Sequence, residues 1–102
     1  MPVYKYYAVI EKEKLDDSGA YIVSFPDIEN VFTDGETLIE ANTNAEDVLG
    51  LVLTDMEDSG DYIPVSSKAK DIKLLEGASL VLIEVDTEKY RETVWYSLLS
   101  YS

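Results

Sequence analysis

The sequence contains no cysteine and no histidine. The absence of cysteine excludes disulfides, a thiol nucleophile and cysteine-ligated metals, and the absence of histidine removes the commonest general base and transition-metal ligand. No apolar run is long enough to span a membrane, and no charged-then-apolar leader is visible, which predicts a soluble, cytoplasmic protein. A length of 102 residues fits one domain.

Basic residues are scarce and unevenly placed. The chain has eight, none of them between Lys14 and Lys68, and this window holds thirteen of its 21 acids. The other eight acids balance the eight basic residues, so the net charge of −13 lies in the middle of the chain. Because nucleic-acid surfaces need clustered Lys and Arg, we predict no direct DNA binding. The acidic window suits a basic protein partner, and plain solubility is the alternative interpretation.

The first third of the chain has strand patterns. Residues 4–12 alternate in an aromatic and β-branched context, residues 15–19 favour a turn, and residues 20–25 form a second strand that Pro26 ends. Residues 31–33 predict a short third strand. Together these segments predict an antiparallel hairpin with one further strand.

The middle of the chain predicts one long helix from Thr37 to about residue 58. Thr37 and Glu40 fit a capping box, and apolar residues recur at three- and four-residue steps. Gly50 inside the helix predicts a close approach to a strand, and Ser59 and Gly60 form the stop signal.

The last third predicts a connection with a short helical turn within residues 67–75, a strand over residues 79–86, and a short helix over residues 87–99. The nearly continuous apolar run of the strand predicts burial on both faces, as in a central strand. The fold class is therefore α+β, with a three-to-four-stranded, mainly antiparallel sheet covered by one long helix in the order β-β-β-α-β. Residues 1–86 form the domain, and residues 87–102 form a tail.

Several short segments, in this order and at this spacing, resemble the HicB-type antitoxin domain. They are Tyr7-Ala8-Val9-Ile10-Glu11, Tyr21-Ile22-Val23-Ser24-Phe25-Pro26-Asp27, Phe32-Thr33-Asp34-Gly35-Glu36-Thr37-Leu38-Ile39-Glu40-Ala41, Asn44-Ala45 and Asp61-Tyr62-Ile63-Pro64. The resemblance implies a partial RNase-H-like fold and an antitoxin that binds and inhibits a small, basic, mRNA-cleaving toxin of the HicA type.

The sequence departs from this family pattern at two places. Glu29-Asn30-Val31 stands where many members have Pro-Gly-Cys, which changes the turn. Residues 87–102 are also too short and too weakly basic for the DNA-binding segment with which most members continue. An antitoxin without its own DNA-binding segment, an orphan HicB-like protein and a shortened chain all fit this second departure.

The candidate functional residues fall into two groups, and no catalytic residue, cofactor or metal is predicted. The predicted partner-binding residues are Tyr7, Glu11, Tyr21, Asp27, Glu29, Asp34 and Glu36. The predicted self-association residues are Tyr90, Val94, Trp95 and Leu98, in a homo-oligomer, most simply a dimer, formed through the tail or an exposed strand edge. A tail folded onto its own sheet is the alternative.

Two further functions are alternatives to the antitoxin role. One is an orphan oligomeric protein with an unassigned ligand. The other is a metal-dependent nuclease of the RNase-H type, with Glu11, Asp27 and Glu84 as candidate Mg²⁺ ligands because carboxylates at strand ends can hold that ion.

Overall fold

The computed structural model describes residues 3–12 and 19–92. Its strands are β1 (Val3–Lys12), β2 (Tyr21–Ser24), β3 (Phe32–Gly35) and β4 (Ser79–Asp86). The long helix α1 covers Leu38–Ser59, and a 3₁₀ turn covers Ala69–Asp71. Residues 87–92 are helical and are called the C-terminal helical segment here. The predicted α+β class and the order β-β-β-α-β are confirmed.

The sheet has the strand order β3-β2-β1-β4, and every neighbouring pair is antiparallel. β4 pairs with β1 along its full length, from Val3 opposite Asp86 to Ile10 opposite Ser79. The sequence-based prediction of a central β4 is wrong, because β4 lies at the edge of the sheet and Leu82 is 48% exposed. The continuous apolar run therefore belongs to an edge strand of the described sheet rather than to a strand that is buried on both faces.

α1 covers one face of the sheet, called here the covered face. Alternate residues of the strands point into it, and Ala41, Ala45, Leu49 and Leu53 of the helix are fully buried against them. The strand side of this core is formed by Tyr6, Ala8, Ile10, Val23, Ile83 and Val85, and the loop after β2 adds Phe25, Ile28 and Val31. The opposite, open face carries the other half of each strand.

Local sequence signals set both ends of α1. The hydroxyl of Thr37 accepts a hydrogen bond from the Glu40 backbone N–H at 3.0 Å, and the Glu40 carboxylate accepts one from the Glu36 N–H at 3.3 Å. Gly60 ends the helix in the left-handed region at φ 69°. The predicted capping box and stop signal are thus confirmed.

Gly35 and Asn44 fix the start of α1 against β3. A Cβ on Gly35 would lie 2.4 Å from the backbone nitrogen of Ala41, so only glycine permits this approach of the strand to the helix. The Asn44 side chain then donates a hydrogen bond to the Asp34 carbonyl at 2.8 Å. Two positions of the family-like pattern therefore dock the helix on the sheet.

The C-terminal helical segment packs on α1 at Gly50. A Cβ on Gly50 would lie 2.6 Å from Cδ2 of Tyr90. Gly50 does mark a close approach, but the predicted neighbour was wrong, since the approaching group is an aromatic ring from this segment instead of a strand. A glycine inside a helix costs about 1 kcal/mol relative to alanine, and here its missing side chain leaves the space that the Tyr90 ring occupies.

The connection after α1 is fastened to the sheet. The Tyr6 hydroxyl donates a hydrogen bond to the Pro64 carbonyl. The Asp27 carboxylate accepts hydrogen bonds from the Ser67 backbone N–H at 2.8 Å and from its hydroxyl at 2.6 Å. The turn after Ile28 uses Asn30 at φ 63°, a conformation that asparagine adopts more readily than most residues. The departure from the family pattern at this turn is therefore accommodated.

Candidate functional site

The open face of the sheet combines apolar and acidic side chains. One row across three strands places Glu11 opposite Ile22 and Ile22 opposite Asp34. Neighbouring strands are about 4.8 Å apart, so the two carboxylates flank the isoleucine across about 10 Å. Both acids are exposed, and Ile22 is 39% exposed.

A second row lies next to the first and is mainly apolar. Phe32 faces Ser24, Ser24 faces Val9, and Val9 faces Leu80. Phe32 is 66% exposed although it lies on a strand. In the following row, Tyr7 faces Leu82. An exposed aromatic ring beside aliphatic groups and carboxylates is the composition of a protein-contact surface.

The end of this face away from the Glu11 row carries a cation. Lys5 lies opposite Glu84, and Lys5, Glu11, Asp34, Glu84 and Asp86 are the charged residues that the described strands place on this face. Four carboxylates against one ammonium give the face a negative balance. A positively charged partner would therefore be attracted to it.

The predicted partner-binding residues do not form one surface. The structure brings Tyr7, Glu11 and Asp34 together on the open face, and exposed Glu36 follows directly after β3. Tyr21 instead packs against the core on the covered face, and Asp27 holds Ser67 in the connection. Exposed Glu29 lies in the loop between β2 and β3.

Sequence reasoning missed the most exposed aromatic side chain of the open face, Phe32, and two exposed aliphatic residues of that face, Ile22 on the neighbouring strand and Leu82 on the opposite edge strand. The period of two along each strand contained a partial signal, because it places Ile22 on the opposite face from Tyr21 and Val23. The order of the strands, which brings Phe32 and Leu82 onto one face, has no local sequence signal.

The candidate Mg²⁺ ligands of the nuclease alternative are not assembled. Glu84 lies opposite Lys5, six residues along β1 from Glu11, which is about 20 Å at 3.3 Å per residue. The Asp27 carboxylate is occupied by Ser67. Within residues 3–12 and 19–92, no three His, Cys, Asp or Glu side chains are grouped for a metal ion.

A second polar cluster centres on Glu57 near the end of α1. Its Oε2 accepts hydrogen bonds from the Tyr4 hydroxyl at 2.8 Å and the Thr87 hydroxyl at 3.1 Å, and its Oε1 lies 3.2 Å from Arg91. The Arg91 guanidinium also lies 2.7 Å from Asp58 and donates to the Thr54 carbonyl. The cluster fastens the C-terminal helical segment to α1 and β1.

Hydrogen bonding controls the ionisation of this cluster. Burial works to raise the pKa of Glu57, but hydrogen bonds from Tyr4, Arg91 and Thr87 outweigh it, and the pKa is lowered. The same Tyr4–Glu57 hydrogen bond, with burial, raises the pKa of the Tyr4 hydroxyl. The Arg91 hydrogen bond lowers the pKa of Asp58. An ionised Glu57 is therefore the form that the fold stabilises.

Of the predicted self-association residues, the structure describes Tyr90 alone. Its ring is half-buried against Gly50 of its own chain, beside Val48 and Leu51. Val94, Trp95 and Leu98 lie outside the described residues. The sequence prediction that these four residues mediate self-association stays a prediction.

These features define a small α+β domain with one covered and one open sheet face, and comparisons with known proteins give its family. The family described as "HicB_like antitoxin of bacterial toxin-antitoxin system" matches residues 6–96. The chain belongs to this HicB-like antitoxin family, as the sequence resemblance predicted. Among curated proteins, none matches the chain.

Solved structures share the fold. One, described as a toxin-antitoxin complex from Streptococcus pneumoniae, has a TM-score of 0.78 and 24% identity over 86% of this chain and 72% of that one. The N-terminal domain of Burkholderia pseudomallei antitoxin HicB has a TM-score of 0.62 and 20% identity over 78% of this chain and 95% of that one. A HicA3 and HicB3 toxin-antitoxin complex has a TM-score of 0.62 and 25% identity over 81% of this chain and 99% of that one.

The described part of the chain also contains no helix that is long and apolar enough to cross a membrane.

Proposed function

We propose that this chain is the antitoxin of a type II toxin-antitoxin pair and that it binds and inhibits a small, basic, HicA-like ribonuclease in the cytoplasm. Membership of the HicB-like antitoxin family supports the antitoxin role. One of the similar solved structures is a HicA3 and HicB3 toxin-antitoxin complex, which supports the choice of toxin class.

The observation that carries the proposal is the open face. It exposes Phe32 and Ile22 beside the carboxylates of Glu11 and Asp34. Apolar side chains supply the central contact of an interface, and acids at its rim accelerate the approach of a basic partner. A ribonuclease has to hold a phosphate backbone and so carries the matching positive surface.

The proposed action is steric and electrostatic. An acidic face seated on the RNA-binding surface of a ribonuclease excludes the substrate, and it requires no chemistry from the antitoxin. We further expect that a chain with a net charge of −13 does not bind duplex DNA by itself, because it repels phosphate.

The proposal predicts that a small, basic, HicA-type ribonuclease is encoded beside this gene, and the test is inhibition of RNA cleavage by that purified ribonuclease. The wild-type chain is expected to suppress cleavage at one equivalent. Glu11→Lys combined with Asp34→Lys should weaken inhibition at least 10-fold, since like charges then face the toxin. Glu46→Lys combined with Asp55→Lys changes two exposed acids of α1, makes the same charge change away from the open face and is the matched control.

Unimpaired cleavage in the presence of excess folded wild-type chain would contradict the proposed function. Equal inhibition by the double variant and by the control would leave the antitoxin role standing but would remove the open face as its surface.

A further inference from the structure

The two edges of the sheet are built differently. β3 forms one edge with four residues, and Gly35 at its end leads directly into the start of α1. β4 forms the other edge with eight residues, and in the described part of the chain its pairing partner is β1. A long edge strand presents a row of unpaired backbone groups that can pair with another strand.

β4 lacks the usual protection of an edge. It contains no Lys, Arg or Pro, and the run from Gly77 to Ile83 carries no charge, although the chain as a whole carries −13. Natural edges are commonly blunted by lysine, proline or a bulge. Glu84 and Asp86 lie at the end of β4, so for so acidic a protein the uncharged run is the part of this edge on which two copies can approach at the lowest electrostatic cost.

Apolar side chains flank this edge on both faces of the sheet. On the open face lie Leu80 and Leu82, the latter 48% exposed. On the covered face a groove separates β4 from the start of α1, with Val81 on its floor. Leu38 and Ile39, which are 53% and 82% exposed, form its helical wall. A strand added at this edge would bury apolar groups above and below it.

The sequence of β4 is complementary to itself when two copies run antiparallel. Residues that lie opposite each other on two paired strands point to the same face of the sheet. The twofold axis of such a dimer therefore passes between one residue of β4 and the same residue of the second copy. With the axis at Leu82, Leu80 faces Glu84 of the second copy, and with the axis at Val81, Leu80 faces Leu82. Two Glu84 carboxylates would meet only if the axis moved to Glu84. Both central registers therefore avoid facing acids.

We propose that the outer edge of β4 is a self-pairing surface, through which two copies of this chain join their sheets into one continuous antiparallel sheet of eight strands. The dimer places the outer edge of β4 at its centre, and the Glu11–Ile22–Asp34 row lies on β1, β2 and β3. Leu80 and Leu82 belong to the open face and also flank the edge, but self-pairing is a property of this chain alone and is tested without the toxin.

The first test is the solution mass of the full chain by size-exclusion chromatography with light scattering. The wild type is expected to be a dimer that strengthens with added salt, because salt screens the repulsion between two acidic chains. Leu82→Lys places like charges at the interface and should weaken the dimer at least 10-fold. Leu75→Lys, at an exposed residue outside the sheet, is the matched control and should leave the mass unchanged.

The second test is disulfide cross-linking. Because the sequence contains no cysteine, an introduced cysteine provides the single thiol of each chain. Directly paired residues have Cβ atoms about 4.5 to 5.5 Å apart, close to disulfide geometry. Either Val81→Cys or Leu82→Cys is therefore expected to form a disulfide-linked dimer under mild oxidation, and Leu75→Cys is expected to remain monomeric on a non-reducing gel. This readout requires no destabilising charge.

A wild-type chain that is monomeric at high concentration would overturn the proposed self-pairing. This holds even if the edge of β4 then pairs with a strand of the toxin. A dimer that persists in folded Leu82→Lys, together with no cross-link at either β4 position, would also overturn it and move the interface elsewhere in the chain.

Discussion

The covered and open faces of the sheet are made from the same strands and differ in what lies against them. On the covered face, Ala8, Val23 and Ile83 are buried beneath α1. On the open face, one residue further along two of these strands, Val9 and Ser24 are half-buried, and Phe32 is exposed. One face therefore serves stability, and the other is available for binding. Substitutions on the two faces should separate folding from inhibition.

The largest expected effect is on the covered face. Leu49→Ala removes a fully buried side chain between α1 and the sheet and should lower the free energy of unfolding by about 2 to 5 kcal/mol. Leu51→Ala makes the same chemical change at a position on α1 that is 58% exposed, and it should cost less than about 1 kcal/mol. Urea denaturation measures both, and equal losses would contradict the assigned core.

A smaller effect is expected where the C-terminal helical segment meets α1. In an exposed helix, Gly→Ala stabilises by about 1 kcal/mol, but Gly50→Ala places a methyl group against the Tyr90 ring. We expect a loss of about 1 to 3 kcal/mol from overpacking. In a Tyr90→Ala background the same substitution should become neutral or stabilising. A double-mutant cycle by thermal denaturation measures this reversal, and additive effects would show that the two residues do not touch.

The cap of α1 should have an effect of about 1 kcal/mol. Thr37→Ala removes the hydroxyl that accepts the Glu40 N–H, whereas Thr37→Ser retains it. The serine variant is the control, and chemical denaturation should place it within a few tenths of a kcal/mol of the wild type. A destabilised serine variant would assign the effect to the lost methyl group.

The Glu57 cluster predicts a dependence of stability on pH. The folded-state pKa of Glu57 is lowered. Its carboxylate therefore contributes stability that is fully present at a pH above the ordinary pKa of a glutamate and that is lost as the pH falls through the folded-state pKa. The stability difference between wild type and Glu57→Gln should therefore shrink as the pH falls below about 4.5. Asp55→Asn serves as the control on the same helix. A difference that does not change with pH would mean that the ionised form is not favoured by the fold.

Much of the fold could be predicted from sequence because its determinants are local. The Thr37 cap, the Gly60 stop and the alternation along β1 each act within a few residues, and each prediction was confirmed. The order of the strands depends on tertiary pairing, so β4 was predicted at the centre although it lies at the edge. The contact of Tyr90 with Gly50 was missed for the same reason, since it joins residues 40 positions apart.

The candidate site was less predictable than the fold. The acids Glu11 and Asp34 came from the family-like segments, but nothing in their spacing indicated that Ile22 would lie between them. Asp27 belongs to the same family-like pattern, and the structure shows that its carboxylate holds the backbone and hydroxyl of Ser67. Position in a motif therefore did not distinguish a residue that faces solvent from one that fastens a loop.

The most direct test of the open face is binding to the HicA-type ribonuclease that we propose as the partner, with its affinity measured by calorimetry for Phe32→Ala and Leu51→Ala. Both side chains are large, apolar and exposed, and they lie on different layers of the domain. We predict that Phe32→Ala weakens binding at least 10-fold at unchanged stability and that Leu51→Ala binds as the wild type does. Wild-type affinity for Phe32→Ala, with a loss for Leu51→Ala, would contradict the open face as the binding surface and place the toxin on the helical layer.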